Sequence, residues 1–285
     1  MKRLWSQSFL AALSAYLASG ASFSVNPATH NVPFELHGHL MVVEGSIGEL
    51  DGLNFVLDTG ASFTVISRQV AKRLGLEGES SRVVKAYGKK RTLQEVTVSS
   101  LSVGGLRFDQ VPALVGKLSF AGMDRPIRMD ALIGLELMRR TSLTIDYEAS
   151  RIVFGPVEHS AFTFAFYGRL PVVPVPLTIG GQRVSLLLDT GSEHIILYQR
   201  RVDGNVKMKR TGEKSEIRCL GRKAILEQVR LENVSMGATE WNELVAYLID
   251  VPVGKSDPDG ILGVLSLGLK RLNLDFQANR ISWER

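Results

Sequence analysis

The sequence predicts a mainly β chain made of two homologous lobes, each carrying one or two short helices. Three observations lead there. Apolar residues fall in runs of roughly four to eight, alternating or continuous, and Gly, Asn, Asp or Pro bounds each run, which is the pattern of strands. Helical periodicity is confined to short stretches. The segment around Asp58 recurs around Asp189, and the landmarks downstream of each copy stay in step.

In chain order, Lys2 and Arg3 precede the apolar run Phe9 to Ala18, and the small residues Ser19 to Ser22 follow. A positive start, a short apolar stretch and a small-residue cleavage site make an export signal, with the cut after Ala21. The run is short for a membrane span. Residues 1–21 are therefore expected to be a signal peptide and the protein to be periplasmic or secreted, with an N-terminal membrane tether as the other form. A first lobe is expected over 31–157 and a second over 165–285. Gly155 to Pro171 reads as the linker between them.

Strands are expected at Leu53 to Leu57, Val96 to Val103, Leu143 to Ile145, Val172 to Ile179 and Val184 to Leu188. Gly104-Gly105 and Gly180-Gly181 read as hairpin turns. Ser67 to Leu76 reads as a helix with a Ser cap, apolar Val70 and Leu74 one turn apart, and Gly75 as its stop. Ile133 to Arg140 is the second helix expected in this lobe.

The repeat carries the chemistry. "FVLDTGASFTVIS" (Phe55 to Ser67) is matched by "LLLDTGSEHIILY" (Leu186 to Tyr198), and Asp58 and Asp189 lie 131 positions apart. "DALIGLELM" (Asp130 to Met138) and "DGILGVLSL" (Asp259 to Leu267) place Gly134 and Gly263 at 76 and 74 positions past those aspartates. "LTIDYEASRIVF" and "LNLDFQANRISW" follow, with Asp146 and Asp275 at 88 and 86. One Asp-Thr-Gly is a common turn, but two copies with matched surroundings indicate a duplicated domain. A carboxylate on a tight turn between apolar runs is costly to desolvate. Without a His, Lys or metal beside it, it also needs a partner to act as an acid or base.

Other function classes find little support. The formal charge of +5 is scattered in short groups with no interleaved aromatics, so no nucleic-acid partner is expected. Cys219 is the only cysteine, which removes an internal disulfide and multi-thiolate zinc sites. It reads as a small apolar filler. His37 and His39 read as exposed histidines on one face of an edge strand, with no third ligand at a telling spacing. No metal or cofactor is expected. Asp130 and Asp259 read as structural acids, and Asp146 and Asp275 as hairpin-turn acids.

The two "hydrophobic-hydrophobic-Asp-Thr-Gly-Ala/Ser" segments and the downstream "LIG" (Leu132 to Gly134) and "ILG" (Ile261 to Gly263) resemble the aspartic peptidases. The likeness spans about residues 34–285 and resembles most the bacterial retropepsin-like proteins with two lobes in one chain. It implies two β-barrel-like lobes related by a pseudo-two-fold axis, with short helices after the catalytic loops and terminal strands that build an interlobe sheet.

The resemblance makes Asp58 and Asp189 the catalytic dyad of an endopeptidase acting on a peptide or protein substrate, as a monomer whose lobes form an internal pseudo-dimer. Thr59 and Thr190 would cross-link the two loops, and Gly60 and Gly191 would let them approach. Ala61 and Ser192 complete the loops. A Ser192 hydroxyl bonded to Asp189 would favour its charged form and leave the shared proton on Asp58. Tyr87 and Gly88, and Leu220 and Gly221, are the candidate tips of two flaps, whose basic flanks also suit exposed hairpins. Glu193 is a candidate substrate-binding residue, and His194, opposite Phe63, a pocket-lining one.

The sequence also departs from the retroviral pattern. Leu135-Glu136 and Val264-Leu265 stand where the family carries an Arg and an acid or amide, so its bracing ion pair is absent or replaced. The rival functions are a catalytically silent peptide-binding or inhibitory envelope protein, a processing enzyme with few substrates, and a sugar- or metal-binding protein.

Overall fold

The computed structural model describes residues 29–78, 80–86, 89–118, 127–157, 163–165, 172–219, 222–254 and 257–285. The expected leader and the four flap-tip residues Tyr87, Gly88, Leu220 and Gly221 lie outside the described residues.

The first lobe begins with β1 (His30–Pro33), β2 (Glu35–His37), β3 (Leu40–Ile47), β4 (Leu50–Leu57) and β5 (Val65–Ser67). Helix α1 (Arg68–Arg73), β6 (Ser80–Ala86), β7 (Lys89–Val103), β8 (Leu106–Gly116), β9 (Ala131–Ile133) and α2 (Leu135–Met138) follow. Then come β10 (Leu143–Asp146), β11 (Arg151–Phe154) and β12 (Thr163–Ala165). The second lobe runs through β13 (Pro174–Ile179), β14 (Gln182–Asp189), β15 (Ile195–Tyr198), α3 (Gln199–Val202), β16 (Met208–Cys219), β17 (Arg222–Met236) and β18 (Thr239–Ile249). It ends with β19 (Gly260–Gly263), a 3-10 turn (Val264–Leu267), β20 (Arg271–Asp275) and β21 (Arg280–Glu284).

Each lobe closes a ring of strands. In the first the order is β3-β4-β9-β5-β8-β7, closed by pairing of β3 with β7. In the second it is β13-β14-β19-β15-β18-β17, closed by β13 with β17. Closure removes the exposed edges an open sheet would present. Alternation drives it: along β13, Val175, Leu177 and Ile179 are buried while the residues between them are partly open. The Gly104-Gly105 and Gly180-Gly181 turns have φ of +56° and +83°, and +55° and +85°. Two successive positive φ angles suit a right-twisted hairpin, and glycine adopts them without steric cost.

The lobes share a third sheet, ordered β1-β11-β10-β20-β21-β12, in which β10 of one lobe pairs antiparallel with β20 of the other. The terminal strands thus build the interlobe sheet that the resemblance implies. Asp146 and Asp275 hold its two hairpins: Asp146 Oδ1 accepts from Ala149 N at 2.9 Å, and Asp275 Oδ1 from Ala278 N at 2.9 Å. Each acid also reaches the other lobe. Arg271 Nη2 donates to Asp146 Oδ2 at 3.1 Å, and Ser142 Oγ to Asp275 Oδ1 at 3.0 Å. One apolar core runs from Val43 and Phe55 through Leu143 and Leu272 to Leu186 and Trp283.

Two expectations change. Part of the stretch read as linker is a strand, since β12 pairs with the otherwise free edge of β21. Residues 30–33, ahead of the first expected strand, pair with β11. Both segments satisfy backbone groups that the central four strands would leave open.

The helices are shorter than the sequence patterns. Ser67 caps α1 as expected, accepting from Val70 N at 3.1 Å, and Gly75 with φ +62° ends that turn. Helix α2 keeps only Leu135–Met138 of the Ile133 to Arg140 pattern, because Ile133 belongs to β9 and Gly134 is the N-cap.

Candidate active site

The two Asp-Thr-Gly segments leave β4 and β14 at equivalent points. In each ring the strand before the aspartate runs parallel to the downstream glycine strand, β4 with β9 and β14 with β19. A second pair of aspartates fixes this register. Asp130 Oδ2 accepts from Asn54 N at 3.1 Å, and Asp259 Oδ2 from Ser185 N at 2.9 Å, in both cases four residues before the site aspartate. Asp130 N and Asp259 N return bonds to Asn54 O and Ser185 O at 2.9 and 2.8 Å. These acids are structural, as their sequence pattern suggested.

The loops then meet between the lobes. Thr59 N donates to Thr190 Oγ1 at 3.1 Å, and Thr190 N to Thr59 Oγ1 at 3.1 Å. Each hydroxyl donates onward across the interface, Thr59 Oγ1 to Leu188 O and Thr190 Oγ1 to Leu57 O, both at 2.9 Å. Both threonines are buried. Four buried bonds, each worth about 0.5–1.5 kcal/mol net, set one loop against the other.

This brings Asp58 and Asp189 into a mutual hydrogen bond. Each carboxylate is also held by its own loop. Asp58 Oδ1 accepts from Gly60 N at 2.8 Å and Ala61 N at 3.2 Å, and Asp189 Oδ1 from Gly191 N at 2.8 Å. The glycines are required by contact. A Cβ on Gly60 would lie 2.4 Å from Asp189 Cγ, and one on Gly191 2.8 Å from Asp58 Cγ.

The pair is partly open at its outer face yet surrounded by protein, and this desolvation pushes both carboxyls above the ordinary carboxylate value. At Asp189 the neighbouring Asp58 charge adds to burial and lifts it well above that value. Two carboxyls in this contact retain one proton between them, and the titration belongs to the pair. The ground for placing that proton on Asp58 does not survive. The Ser192 hydroxyl donates to His194 O at 3.1 Å, its own backbone two residues on, so it does not stabilise a charged Asp189.

Around the dyad the lobes differ. In the first, Glu136 takes the place of the bracing ion pair. Its Oε1 accepts from Thr64 N at 2.7 Å, and burial pushes its carboxyl up. Leu265 occupies that position in the second lobe. The Arg82 guanidinium sits 4.7 Å over the Phe63 ring, whereas His194, the counterpart of Phe63, packs on Tyr247 with centroids 4.6 Å apart. Arg82 and Tyr247 carry no sequence signal, since both come from distant strands.

The reading of His39 needs correction. His37 and His39 do not share a strand face: Gly38 and His39 form the two-residue turn of the β2–β3 hairpin, in which His37 pairs with Leu40. His37 bonds Glu35 at 3.2 Å. His39 turns the other way, with Nδ1 3.8 Å from Glu193 Oε2 of the second lobe. The glycine before His39, directly ahead of the apolar run Leu40 to Val43, was the available sign of that turn.

The β6–β7 and β16–β17 hairpins are paired down to Ala86 with Lys89 and Cys219 with Arg222, flanking the two expected flap tips. A cavity of about 300 Å³ bounded by Leu74, Leu76, Thr97 and Gln110 holds no acid or base and lies apart from the dyad. Among the described residues no three His, Cys, Asp or Glu side chains gather to hold a metal ion.

Comparison with known families matches this duplication. A search of curated proteins returned no match. The family model described as aspartyl protease matches the chain twice, over residues 43–137 and 175–265, each match holding one Asp-Thr-Gly loop and its downstream glycine strand. With most of both rings inside these matches, the chain belongs to the aspartyl protease family.

Proposed function

We propose that this protein is an aspartic endopeptidase in which Asp58 and Asp189 activate a water molecule against a peptide bond. The observation that carries this reading is the reciprocal Thr59–Thr190 bonding, which sets the two carboxyls in hydrogen-bond contact with one proton to share. The ionised carboxylate takes a proton from water as the water oxygen attacks the scissile carbonyl carbon. The protonated partner donates to the carbonyl oxygen, so the tetrahedral species forms as a neutral diol and not as an oxyanion. The dyad then gives its proton to the amide nitrogen while its ionised carboxylate takes one from a diol hydroxyl, so the C–N bond breaks to a carboxylic acid and an amine and the single shared proton is restored. No covalent intermediate arises.

Since both aspartates come from one polypeptide, a single chain suffices, and the leader-like residues 1–21 support action outside the cytoplasm. The test incubates the full chain, Asp58→Asn and Asp189→Asn with a diverse peptide pool from about pH 3 to 7, reading new termini by mass spectrometry. Cleavage by wild type, reduced at least about 10³-fold in each single variant, is expected. Loss in only one variant would break the shared-dyad reading. No cleavage at any pH would favour the catalytically silent peptide-binding reading.

A further inference from the structure

The second catalytic loop carries a polar cluster that the first lacks. Glu193 Oε2 lies 3.8 Å from His39 Nδ1 and 3.6 Å from His194 Nε2. His39 belongs to the other lobe. Its ring also lies near the backbone of Gly191, the residue whose N–H holds Asp189 Oδ1 at 2.8 Å. The His39 side chain is only 18% exposed, while that of its partner Glu193 is 61% exposed. Among the described residues the pseudo-two-fold supplies no equivalent on the other side. Ser62 and Phe63 stand where the second loop has Glu193 and His194. Aligning "GHLMVV" with "LPVVPV" puts Pro171, which has no side-chain donor, opposite His39.

We propose that His39 is a positioning residue that reaches across the lobes to hold the Gly191–Glu193 segment, and Asp189 with it, and that its grip tightens when the imidazole takes up a proton. The inference rests on the peptidase reading for its catalytic consequence, but not for the contact itself. The groups that face the ring are Glu193 and His194, both from the second loop. On its own hairpin, Glu35 is engaged with His37. Burial holds His39 below the ordinary imidazole value, Glu193 and the Gly191 carbonyl oppose this, and His194 adds to it. Protonation turns the approach to Glu193 into an ion pair, and it does so on the acid side, where a dyad retaining one proton is also competent.

Two measurements on the full chain test this. The first is kcat and KM against pH, with a peptide taken from the cleavage experiment, for wild type, His39→Ala and His39→Gln. The expected result for His39→Ala is kcat lowered about tenfold with KM within about twofold. His39→Gln, which keeps a donor facing Glu193 but cannot be charged, should recover most of kcat near neutral pH and lose the gain toward acid. A kcat for His39→Ala within about twofold of wild type across the range would overturn the positioning role. The second measurement is the imidazole titration by NMR in wild type and Glu193→Gln, with the His39 signal assigned by its loss in His39→Gln. Removing the carboxylate should lower the His39 midpoint, and an unchanged midpoint overturns the contact. If wild type cleaves nothing but the midpoint falls, the contact stands and the peptidase reading fails.

Discussion

The two Asp-Thr-Gly loops make an instructive pair. Backbone and hydroxyl contacts that bring the aspartates together are duplicated bond for bond: the threonine pair, the glycine N–H to each carboxylate, and the Asp130 and Asp259 anchors four residues upstream. What surrounds that frame is not. The first loop leans on Glu136 and an Arg82–Phe63 stack, the second on a His194–Tyr247 stack and on His39 from across the interface. Symmetry is kept where two carboxyls must meet at one point, because an error there separates them. It is relaxed in the side chains around that point, which need not match for the two carboxyls to meet.

Breaking the shared frame should give the largest effects. Gly60→Ala and Gly191→Ala each drive a methyl into the opposite carboxyl, more severely at Gly60, where the approach is 2.4 Å against 2.8 Å. Peptide cleavage should fall at least about 100-fold in both, with Gly60→Ala the worse, since an error of about 1 Å in reacting groups costs that much. Equal residual activities would show that the loops absorb the methyl alike.

Next come Thr59→Val and Thr190→Val. Each keeps the shape but strands a buried N–H and a carbonyl on the opposite lobe: Thr190 N and Leu188 O in Thr59→Val, Thr59 N and Leu57 O in Thr190→Val. A loss of about 2–4 kcal/mol, nearly equal in the two, is expected from chemical denaturation. A clear inequality would mean that the interface is less symmetric than its bonds.

The third test is confined to the first lobe. Glu136→Leu leaves Thr64 N without its acceptor and should cost about 1–3 kcal/mol, while Glu136→Gln keeps the acceptor and should cost little. The pH dependence follows from the direction of the shifts. Asp58, Asp189 and Glu136 are all raised in the folded protein, so the stability they contribute is complete below their ordinary values of 3.8 and 4.5 and is lost as pH rises through the raised ones. Asp146 runs the other way. Burial pushes it up, but the Ala149 N–H and Arg271 outweigh burial and hold it low, so its contribution is present at neutral pH and lost on acidification. Melting temperature should therefore decline as pH rises above the ordinary carboxylate values, with a shallower decline in Asp189→Asn and in Glu136→Gln. A decline unchanged in both variants would remove these carboxyls as its cause.

The smallest effect is expected at the Arg82–Phe63 stack. Arg82→Ala gives up a cation–π contact and an ion pair to Glu95 at 2.6 Å, both part-exposed, for about 0.5–1 kcal/mol by denaturant titration.

Much of this was legible in the linear chain. The duplication, the β class, the aspartates, the hairpin glycines and the Ser67 cap all leave local signatures, because each depends on residues within a few positions of one another. His39 was misread for the complementary reason. Its partner Glu193 lies 154 positions away, and an exposed strand histidine and a half-buried turn histidine look alike until the hairpin is placed. Glu136 was visible only as a departure from a pattern, since its partner Thr64 lies 72 residues upstream. The Ser192 hydroxyl was assigned to the wrong acceptor because its own loop offered the nearer carbonyl of His194.

By itself the sequence determined that two equivalent acid loops exist and that each sits on a turn at the end of a buried strand, since strand alternation and turn chemistry are written in neighbouring residues. Only the tertiary structure decided how those loops face each other, which hydroxyl serves which backbone group, and which side chains of one lobe reach into the other. Those contacts join residues more than a hundred positions apart, and their geometry is set by ring closure and by the shared interlobe sheet, which no local stretch of the chain encodes.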